Sequence, residues 1–302
     1  MTNVVRPVFQ EIPLPHRDVG PYGITTGPDG ALWITLVHGG GVARMTLEGQ
    51  LDLFPLDASA SRPCVITPGP DGALWFTRSA DHRIGRVTTA GEMASFPLPT
   101  ANAGPYGIAA GPDGALWFTE MNADQIGRIT TEGAITEFSL PVKGAFPSAI
   151  TAGPDGALWF TLNQANAIGR ITPEGEVAIH SLPTPGAAPV GITLGSDGAL
   201  WFVEIGAGQI GRITVDGTTR EFPLADRAAR PHAIVADPDG SCWFTEWGAN
   251  RLGHITSDGV IQEYDLPTPA SEPHGLVLGP DGAVWMALEI GRILRVGFTR
   301  DA

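Results

Sequence analysis

The chain is poor in cysteine and in basic residues, and it lacks long apolar runs. Cys64 and Cys242 are the two cysteines in 302 residues, too few for a disulfide framework or a zinc pattern. Lysine and arginine total 18 against 32 acidic residues, whereas nucleic acid requires a basic surface. No apolar run reaches the roughly 18 residues of a membrane span, and residues 1–10 lack the apolar core of a signal peptide. We therefore expect a cytoplasmic protein with no nucleic-acid or membrane partner.

Glycine and proline, in contrast, are abundant, and many of them belong to one repeated motif. The motif Gly-Pro-Asp-Gly-Ala-Leu-Trp-Phe, or a close variant, recurs every 42 residues. Its copies begin at Gly27, Gly69, Gly111, Gly153, Gly195, Asp237 and Gly279. A period of about 40–45 residues is typical of the four-stranded blade of a propeller. Seven copies predict an all-β, seven-bladed β-propeller that forms a single domain over residues 1–302.

Residues 105–141 illustrate one predicted blade. Asp113-Gly114 supplies the positive φ of a tight hairpin turn, and aromatic or β-branched runs flank it. The predicted strands are Tyr106–Ala110, Ala115–Glu120, Ile126–Thr130 and Ile135–Leu140. A tryptophan follows each turn, so seven of the eight tryptophans are assigned to packing within the blades. Only Trp247 lies outside this column.

The two ends of the chain are complementary. Residues 9–15 match the outer-strand pattern of residues 92–99, but they precede the first inner strand. After Trp285 the chain has residues for a third strand only. We therefore expect the N-terminal segment to supply the outer strand of the last blade, which closes the ring and covers otherwise open sheet edges.

One column of the repeat varies from blade to blade. Each inner strand begins after a proline, at a position that faces the central funnel of a propeller. This set, called the rim column, is Tyr22, Cys64, Tyr106, Ser148, Val190, His232 and His274. Because the last blade contacts the first, Tyr22, His232 and His274 are consecutive around the closed ring. Their departure from a uniform scaffold residue predicts a functional sector.

Hairpin geometry adds two acids and an aromatic residue to this sector. If Asp281-Gly282 is a two-residue turn, Glu289 lies opposite His274, and Glu272 shares a face with His274. A bulge at the turn would shift this register by one residue. The same geometry places Trp247 opposite His232. Two carboxylates beside an imidazole suit Mg²⁺, and a neutral histidine is suited to act as a general base.

A second acidic column falls at the ends of the second strands, at Glu120, Glu204 and Glu246. We interpret this column as structural. The predicted partners are backbone groups or the third-strand arginines Arg86, Arg128, Arg170 and Arg212.

These motifs resemble the virginiamycin B lyase (streptogramin B lyase) family along the whole chain. The blade sequence from Gly111 to Thr130 is similar to the family's blades, and the site motifs are more specific. His232 in Arg-Pro-His-Ala resembles the family's substrate-binding histidine, and Tyr22 a tyrosine at the rim. In Glu-Pro-His-Gly, Glu272 resembles a metal ligand and His274 the catalytic residue, while Glu289 resembles the second metal ligand.

The resemblance implies a Mg²⁺-dependent carbon–oxygen lyase. Its substrate would be a streptogramin B cyclic depsipeptide, opened by elimination at the lactone ester, which would confer antibiotic resistance. Trp247 would then be part of an aromatic wall for the substrate. We expect a monomer, since a closed propeller needs no partner.

Two alternatives stay open. A metal-dependent lactone hydrolase is disfavoured, because such sites usually draw acidic and amide ligands from several blades, whereas here the acids cluster on one blade and Asn163 is the only amide expected near the rim. A non-catalytic peptide- or protein-binding propeller is compatible with the acidic surface and with Trp247. It does not explain two histidines and two glutamates in one sector.

Overall fold

The repeat folds as predicted into a ring of seven antiparallel four-stranded sheets in a computed structural model that describes residues 5–300. Each of the first six 42-residue units supplies four strands in sequence order, and the inner strands contact one another around the ring, the last against the first. The strands of blades 1 to 3 are Pro21–Thr26, Leu32–Leu36, Gly41–Met45, Leu51–Pro55; Pro63–Pro68, Leu74–Arg78, Arg83–Val87, Met93–Pro97; and Pro105–Ala110, Leu116–Glu120, Gln125–Ile129, Ile135–Ser139. The predicted seven-bladed propeller is confirmed.

Blades 4 to 6 have the same organisation. Their strands are Pro147–Ala152, Leu158–Leu162, Ala167–Ile171, Val177–Ser181; Pro189–Leu194, Leu200–Glu204, Gln209–Ile213, Thr219–Pro223; and Pro231–Ala236, Cys242–Glu246, Arg251–Ile255, Ile261–Asp265. The predicted strands of blade 3 agree with the structure to within one residue at each end. One short 3₁₀ helix, Arg17–Val19, is the helical element of the described chain, and no helix in residues 5–300 is long and apolar enough to cross a membrane.

Blade 7 closes the ring with both ends of the chain. It contains Pro273–Leu278, Val284–Leu288 and Arg292–Arg300, and its outer strand is Val5–Pro13. That outer strand pairs antiparallel with Arg292–Arg300 along nine residues. The predicted closure by the N-terminal segment is confirmed, and it brings blade 7 against blade 1, where the functional sector was expected.

The tryptophan column packs between and within the sheets. Trp117 is fully buried and stacks on Phe138 of the fourth strand with ring centroids 5.5 Å apart. Its Nε1–H donates to Asp113 Oδ1 at 3.0 Å, and Arg128 Nε donates to the other oxygen, Oδ2, at 2.6 Å. Burial alone raises the pKa of Asp113, but the hydrogen bonds from Trp117 and Arg128 outweigh it and lower the pKa. The turn aspartate therefore forms the hairpin turn and also joins the tryptophan of the second strand to the arginine of the third. We call this arrangement of aspartate, tryptophan and arginine the clamp.

The arginine column serves this clamp and not the acidic column. Arg86, Arg128, Arg170 and Arg212 bind Asp71, Asp113, Asp155 and Asp197, so the predicted pairing with Glu120, Glu204 and Glu246 is wrong. These glutamates are fully buried. Burial, reinforced by a neighbouring fourth-strand glutamate, raises the pKa of each to about 8. A buried acid beside another acid is accommodated by keeping a proton.

Candidate functional site

The rim column is shaped by a repeated backbone irregularity. The residue before each rim proline adopts a left-handed conformation, with φ between 49° and 63° in all seven blades. The inner strand then bulges over the next residues, since Pro273 pairs with Leu288 but Leu276 with Met286. The rim residue lies inside that bulge. Because a bulge redirects a side chain, residues of the rim column such as Tyr22, Tyr106 and His232 turn towards the central cavity.

This bulge corrects the predicted register. Val277 faces Trp285 and Pro273 faces Leu288, so His274 has no direct cross-strand partner and the predicted backbone pairing with Glu289 is wrong. The two side chains nevertheless meet, because Nε2 of His274 contacts Oε2 of Glu289. The bulge makes this contact possible by turning His274 out of the ladder.

The rim brings Tyr22, His232 and His274 together as the sequence predicts. The ring of Tyr22 lies over that of His274 with centroids 4.3 Å apart, and the His232 and His274 rings meet edge to face at 4.7 Å. The Tyr22 hydroxyl lies 2.7 Å from that of Tyr106 and 3.5 Å from His232 Nε2. These contacts span blades 1, 3, 6 and 7, so they exist only in the closed ring.

Burial and hydrogen bonding shift the pKa values of three groups in this cluster, His232, Tyr22 and Glu289. Burial, with a smaller contribution from His274, lowers the pKa of His232 to about 3. Burial also raises the pKa of the Tyr22 hydroxyl well above its ordinary value. Hydrogen bonding to His274, opposed by burial and assisted by His38, lowers the pKa of Glu289 to about 2. At neutral pH the imidazole of His232 is therefore neutral, the hydroxyl of Tyr22 is protonated and Glu289 is a carboxylate.

Glu272 and Glu289 are neighbours through the backbone. The Glu289 N–H donates to the Glu272 carbonyl at 3.1 Å, and the side chain of Glu272 is exposed. Glu272 has a left-handed φ of 52°, at a position that is occupied by Gly20 and Gly104 in two other blades. A carboxylate in this strained position costs on the order of 1 kcal/mol more than glycine. Because Arg62, Phe146, Ala188 and Arg230 have the same conformation in four other blades, the strain belongs to the repeat and does not single out Glu272.

The donor set fits a divalent cation that takes few protein ligands. Among residues 5–300, no three histidine, cysteine, aspartate or glutamate side chains are arranged as a preformed metal cage. Mg²⁺ does not need one, because it keeps several waters and accepts one or two carboxylates. Glu272 and Glu289 are adjacent, and both carboxylates are accessible to solvent. These two residues would hold the ion.

Trp247 does not lie across from His232, so this part of the sequence prediction is wrong. Its backbone N–H donates to the carbonyl of Arg230 at 3.1 Å, and Glu246 is the residue paired with Pro231. The guanidinium of Arg230 covers the indole, 5.6 Å from its centroid. Trp247 is half-buried, directly after the second strand of blade 6. Glu289 has the same position in blade 7, so Trp247 keeps a place on the rim face.

Beneath the rim, the funnel narrows to an apolar cavity of about 170 Å³. Tyr22, Tyr106 and His232 line it together with the aliphatic residues of the inner strands below them. Pockets that bind drug-sized ligands usually have volumes of several hundred Å³. This cavity is therefore far too small to enclose a cyclic peptide. A large ligand would therefore sit on the rim and present one bond to the cluster.

One residue of the site was missed. Nε2 of His38 lies 2.6 Å from Oε1 of Glu289, on the opposite side of the carboxylate from His274. The same positions in the other blades are Ala80, Asn122, Gln164, Gly206, Gly248 and Ile290. This column varies just as the rim column does, so the signal was available.

With the geometry described, comparison with known proteins decides the family. The family model described as "Virginiamycin B lyase family" matches residues 7–296. The chain belongs to the virginiamycin B lyase family. A solved virginiamycin B lyase from Staphylococcus aureus is 46% identical, with a TM-score of 0.93, and the match covers 96% of this chain and 99% of that one.

Other members of the virginiamycin B lyase family are also similar. A catalytically inactive histidine-to-alanine variant of the S. aureus enzyme, solved with quinupristin, is 45% identical with a TM-score of 0.93, covering 96% of this chain and 99% of that one. A curated virginiamycin B lyase from Mycobacterium sp. (strain KMS) is 55% identical over 44 residues. That match spans 15% of the length of each chain.

Proposed function

We propose that this protein linearises streptogramin B cyclic depsipeptides by elimination at the lactone ester. The observation that carries the proposal is the cluster of two histidines and a tyrosine around one carboxylate at the mouth of the funnel, formed by His274, His232, Tyr22 and Glu289. Family membership and the quinupristin found with the S. aureus variant support the substrate class.

His274 is the proposed base. Its Nδ1 is buried without a hydrogen-bond partner, so Nε2, on the Glu289 side, is the nitrogen that the substrate would reach. Because an ionised carboxylate can only accept a hydrogen bond, Nε2 would have to leave Glu289 and be free of a proton before it takes one from the substrate. The acceptor would take the Cα proton of the threonine-derived unit, whose ester oxygen is on Cβ. The Cα–H electrons then form the Cα–Cβ double bond, and the Cβ–O bond breaks to release a carboxylate. No water is consumed, so product and substrate have the same mass.

The low pKa of the leaving carboxyl group decides whether His232 would have to act as a general acid. A peptide α-carboxyl has a pKa of about 3.5, so the departing carboxylate needs no proton at neutral pH. His232, with its pKa lowered to about 3, could not supply one efficiently. We assign it to substrate orientation by hydrogen bonding, together with the protonated hydroxyl of Tyr22 nearby.

A Mg²⁺ ion held by Glu272 and Glu289 would supply Lewis-acid stabilisation of the negative charge that develops on the substrate carbonyl oxygen. Glu289 would serve in addition to hold His274 in place through Nε2. Trp247, covered by the Arg230 guanidinium, would provide an apolar surface on the rim for the body of the substrate.

The test is mass spectrometry of a streptogramin B incubated with the protein, once with Mg²⁺ and once with chelator. A linear product of unchanged mass, formed only with the metal, is the expected result. A product heavier by one water would indicate a lactone hydrolase. Tight binding of the antibiotic without turnover under any metal would indicate a binding propeller.

A further inference from the structure

His38 is placed at the rim by a backbone contact that other blades repeat, at Ala80 and Asn122 for example. It follows the second strand of blade 1, and its backbone N–H donates to the carbonyl of Val19 at 3.0 Å, at the end of the 3₁₀ helix. Gly20 has φ +63°, and a Cβ there would lie 2.4 Å from Cδ2 of His38. The imidazole therefore occupies space that only a glycine at position 20 leaves open.

From this position His38 reaches across the closure of the ring. Its Nε2 lies 2.6 Å from Oε1 of Glu289 in blade 7, while Oε2 of the same carboxylate contacts His274. The His38 side chain is 48% exposed and that of Glu289 is 20% exposed. A contact between side chains this accessible to solvent contributes little to the stability of a fold. Fold stability alone therefore gives little reason for a histidine at this position.

We infer that His38 is a positioning residue that fixes the carboxylate of Glu289 for both His274 and the divalent cation. One imidazole on each oxygen fixes the plane of the carboxylate, whereas a glutamate held on one side only would rotate about its terminal bond. Each carboxylate oxygen retains a second lone pair, which stays available to a cation. The inference rests on the proposed function for its metal and its base, and it adds a residue from blade 1 to the site.

The experiment compares His38→Ala and His38→Gln with the wild-type protein. Residues that orient a metal ligand typically contribute 10- to 100-fold to metal affinity or activity. We expect His38→Ala to weaken Mg²⁺ binding, measured by calorimetry without antibiotic, by about 10-fold. We expect kcat at saturating Mg²⁺ to fall by a similar factor, with KM for the antibiotic unchanged. His38→Gln, which keeps an N–H donor of similar reach, should recover most of both losses.

Asn122→Ala is the matched control, because Asn122 has the same position in blade 3 and lies outside the site. Its Mg²⁺ affinity should equal that of the wild type, and all variants should keep the wild-type melting temperature in chelator. Unchanged affinity and turnover in His38→Ala would overturn the inference. Equal losses in the alanine and glutamine variants would also overturn it, because the N–H would then not be what matters.

The same measurements separate the inference from the proposed function. If the wild-type protein binds Mg²⁺ and His38→Ala binds it more weakly, the inference stands even when no streptogramin B is linearised, and only the proposed reaction fails. If the wild-type protein binds no Mg²⁺, both the metal assignment and the role of His38 are wrong.

Discussion

The two faces of the ring follow different rules, although every blade contributes to both. On the face of the Asp-Gly hairpins, six blades repeat one clamp, in which the turn aspartate binds the tryptophan Nε1–H and a third-strand arginine. On the opposite face, the corresponding positions of the seven blades carry tyrosine, cysteine, serine, valine and histidine. On the hairpin face, the residue types are constrained by contacts within each blade, which every blade has to form for itself. Under the proposed function, the rim is constrained only at the positions that contact the substrate.

Blade 6 sharpens the comparison, because it departs from the rule on both faces. At its hairpin, Trp243 donates to Asp237 instead of Asp239. His254 replaces the arginine, and its ring lies 4.3 Å from that of Trp243 at an interplanar angle of 45°. At its rim it presents His232 and, after the second strand, Trp247. The ring therefore still closes when one blade has a different clamp, in which another carboxylate accepts the hydrogen bond from the tryptophan.

The largest effect should come from His274→Ala on the rim. Loss of a general base typically costs 10²- to 10⁴-fold in rate, so we expect turnover of a streptogramin B to fall by about 10³-fold, measured by mass spectrometry of the linear product. Ser148→Ala, in the same column on the far side of the ring, should retain full activity. Retained activity in His274→Ala would remove this residue as the base.

The next largest effect should be on stability, at the hairpin face. Asp113→Ala leaves the buried Trp117 Nε1–H and the Arg128 guanidinium without their acceptor, and an unsatisfied buried group costs about 1–3 kcal/mol. The melting temperature should fall, while activity at low temperature is unchanged. Asp239→Ala in blade 6 should lower it less, since Trp243 donates elsewhere. Equal losses would show that the clamp is not what stabilises the blade.

A smaller effect should follow Trp247→Ala. Removing the indole and its contact with Arg230 should raise KM by about 10-fold, which corresponds to about 1.4 kcal/mol, with kcat nearly unchanged. Met121→Ala, which alters the same position in blade 3, serves as the control. A fall in kcat with constant KM would instead place Trp247 next to the reacting bond.

The smallest effect should be on pH dependence, through the buried glutamates. Burial raises the pKa of Glu120, Glu204 and Glu246 to about 8, against about 4.3 in the unfolded chain. The folded state therefore holds protons that the unfolded state releases. The resulting stability is fully present below about pH 4.3, declines as the pH rises, and is lost once the pH passes about 8.

Replacement of one of these acids tests that assignment. Glu120→Gln mimics the protonated form, so its melting temperature should exceed that of the wild type near pH 8.5 and approach it near pH 4.3. Glu92→Gln, at an exposed position, should follow the wild type at both pH values. Parallel profiles for Glu120→Gln and the wild type would show that Glu120 is ionised in the fold.

The sequence by itself determined the architecture and much of the site. With a fixed period, every blade has the same packing residues at the same positions, so seven equivalent tryptophans imply seven sheets. The terminal segments, which have no counterpart within their own repeats, imply that the two ends of the chain meet to close the ring. The variation of residue type within the rim column was enough to predict that Tyr22, His232 and His274 lie in one sector of the ring. These results follow from periodicity, which is a property of the chain alone.

The tertiary structure decided which side chains touch. The bulge after each rim proline displaced His274 from the ladder, so simple hairpin register placed Glu289 and Trp247 wrongly. The arginine column binds the turn aspartates and not the second-strand glutamates, because both arginine and tryptophan converge on one carboxylate. His38 meets Glu289 only across the closure of the ring, 251 positions away in sequence. Contacts of this kind depend on local backbone irregularities and on which side chains reach across the boundary between two blades, and the period alone specifies neither.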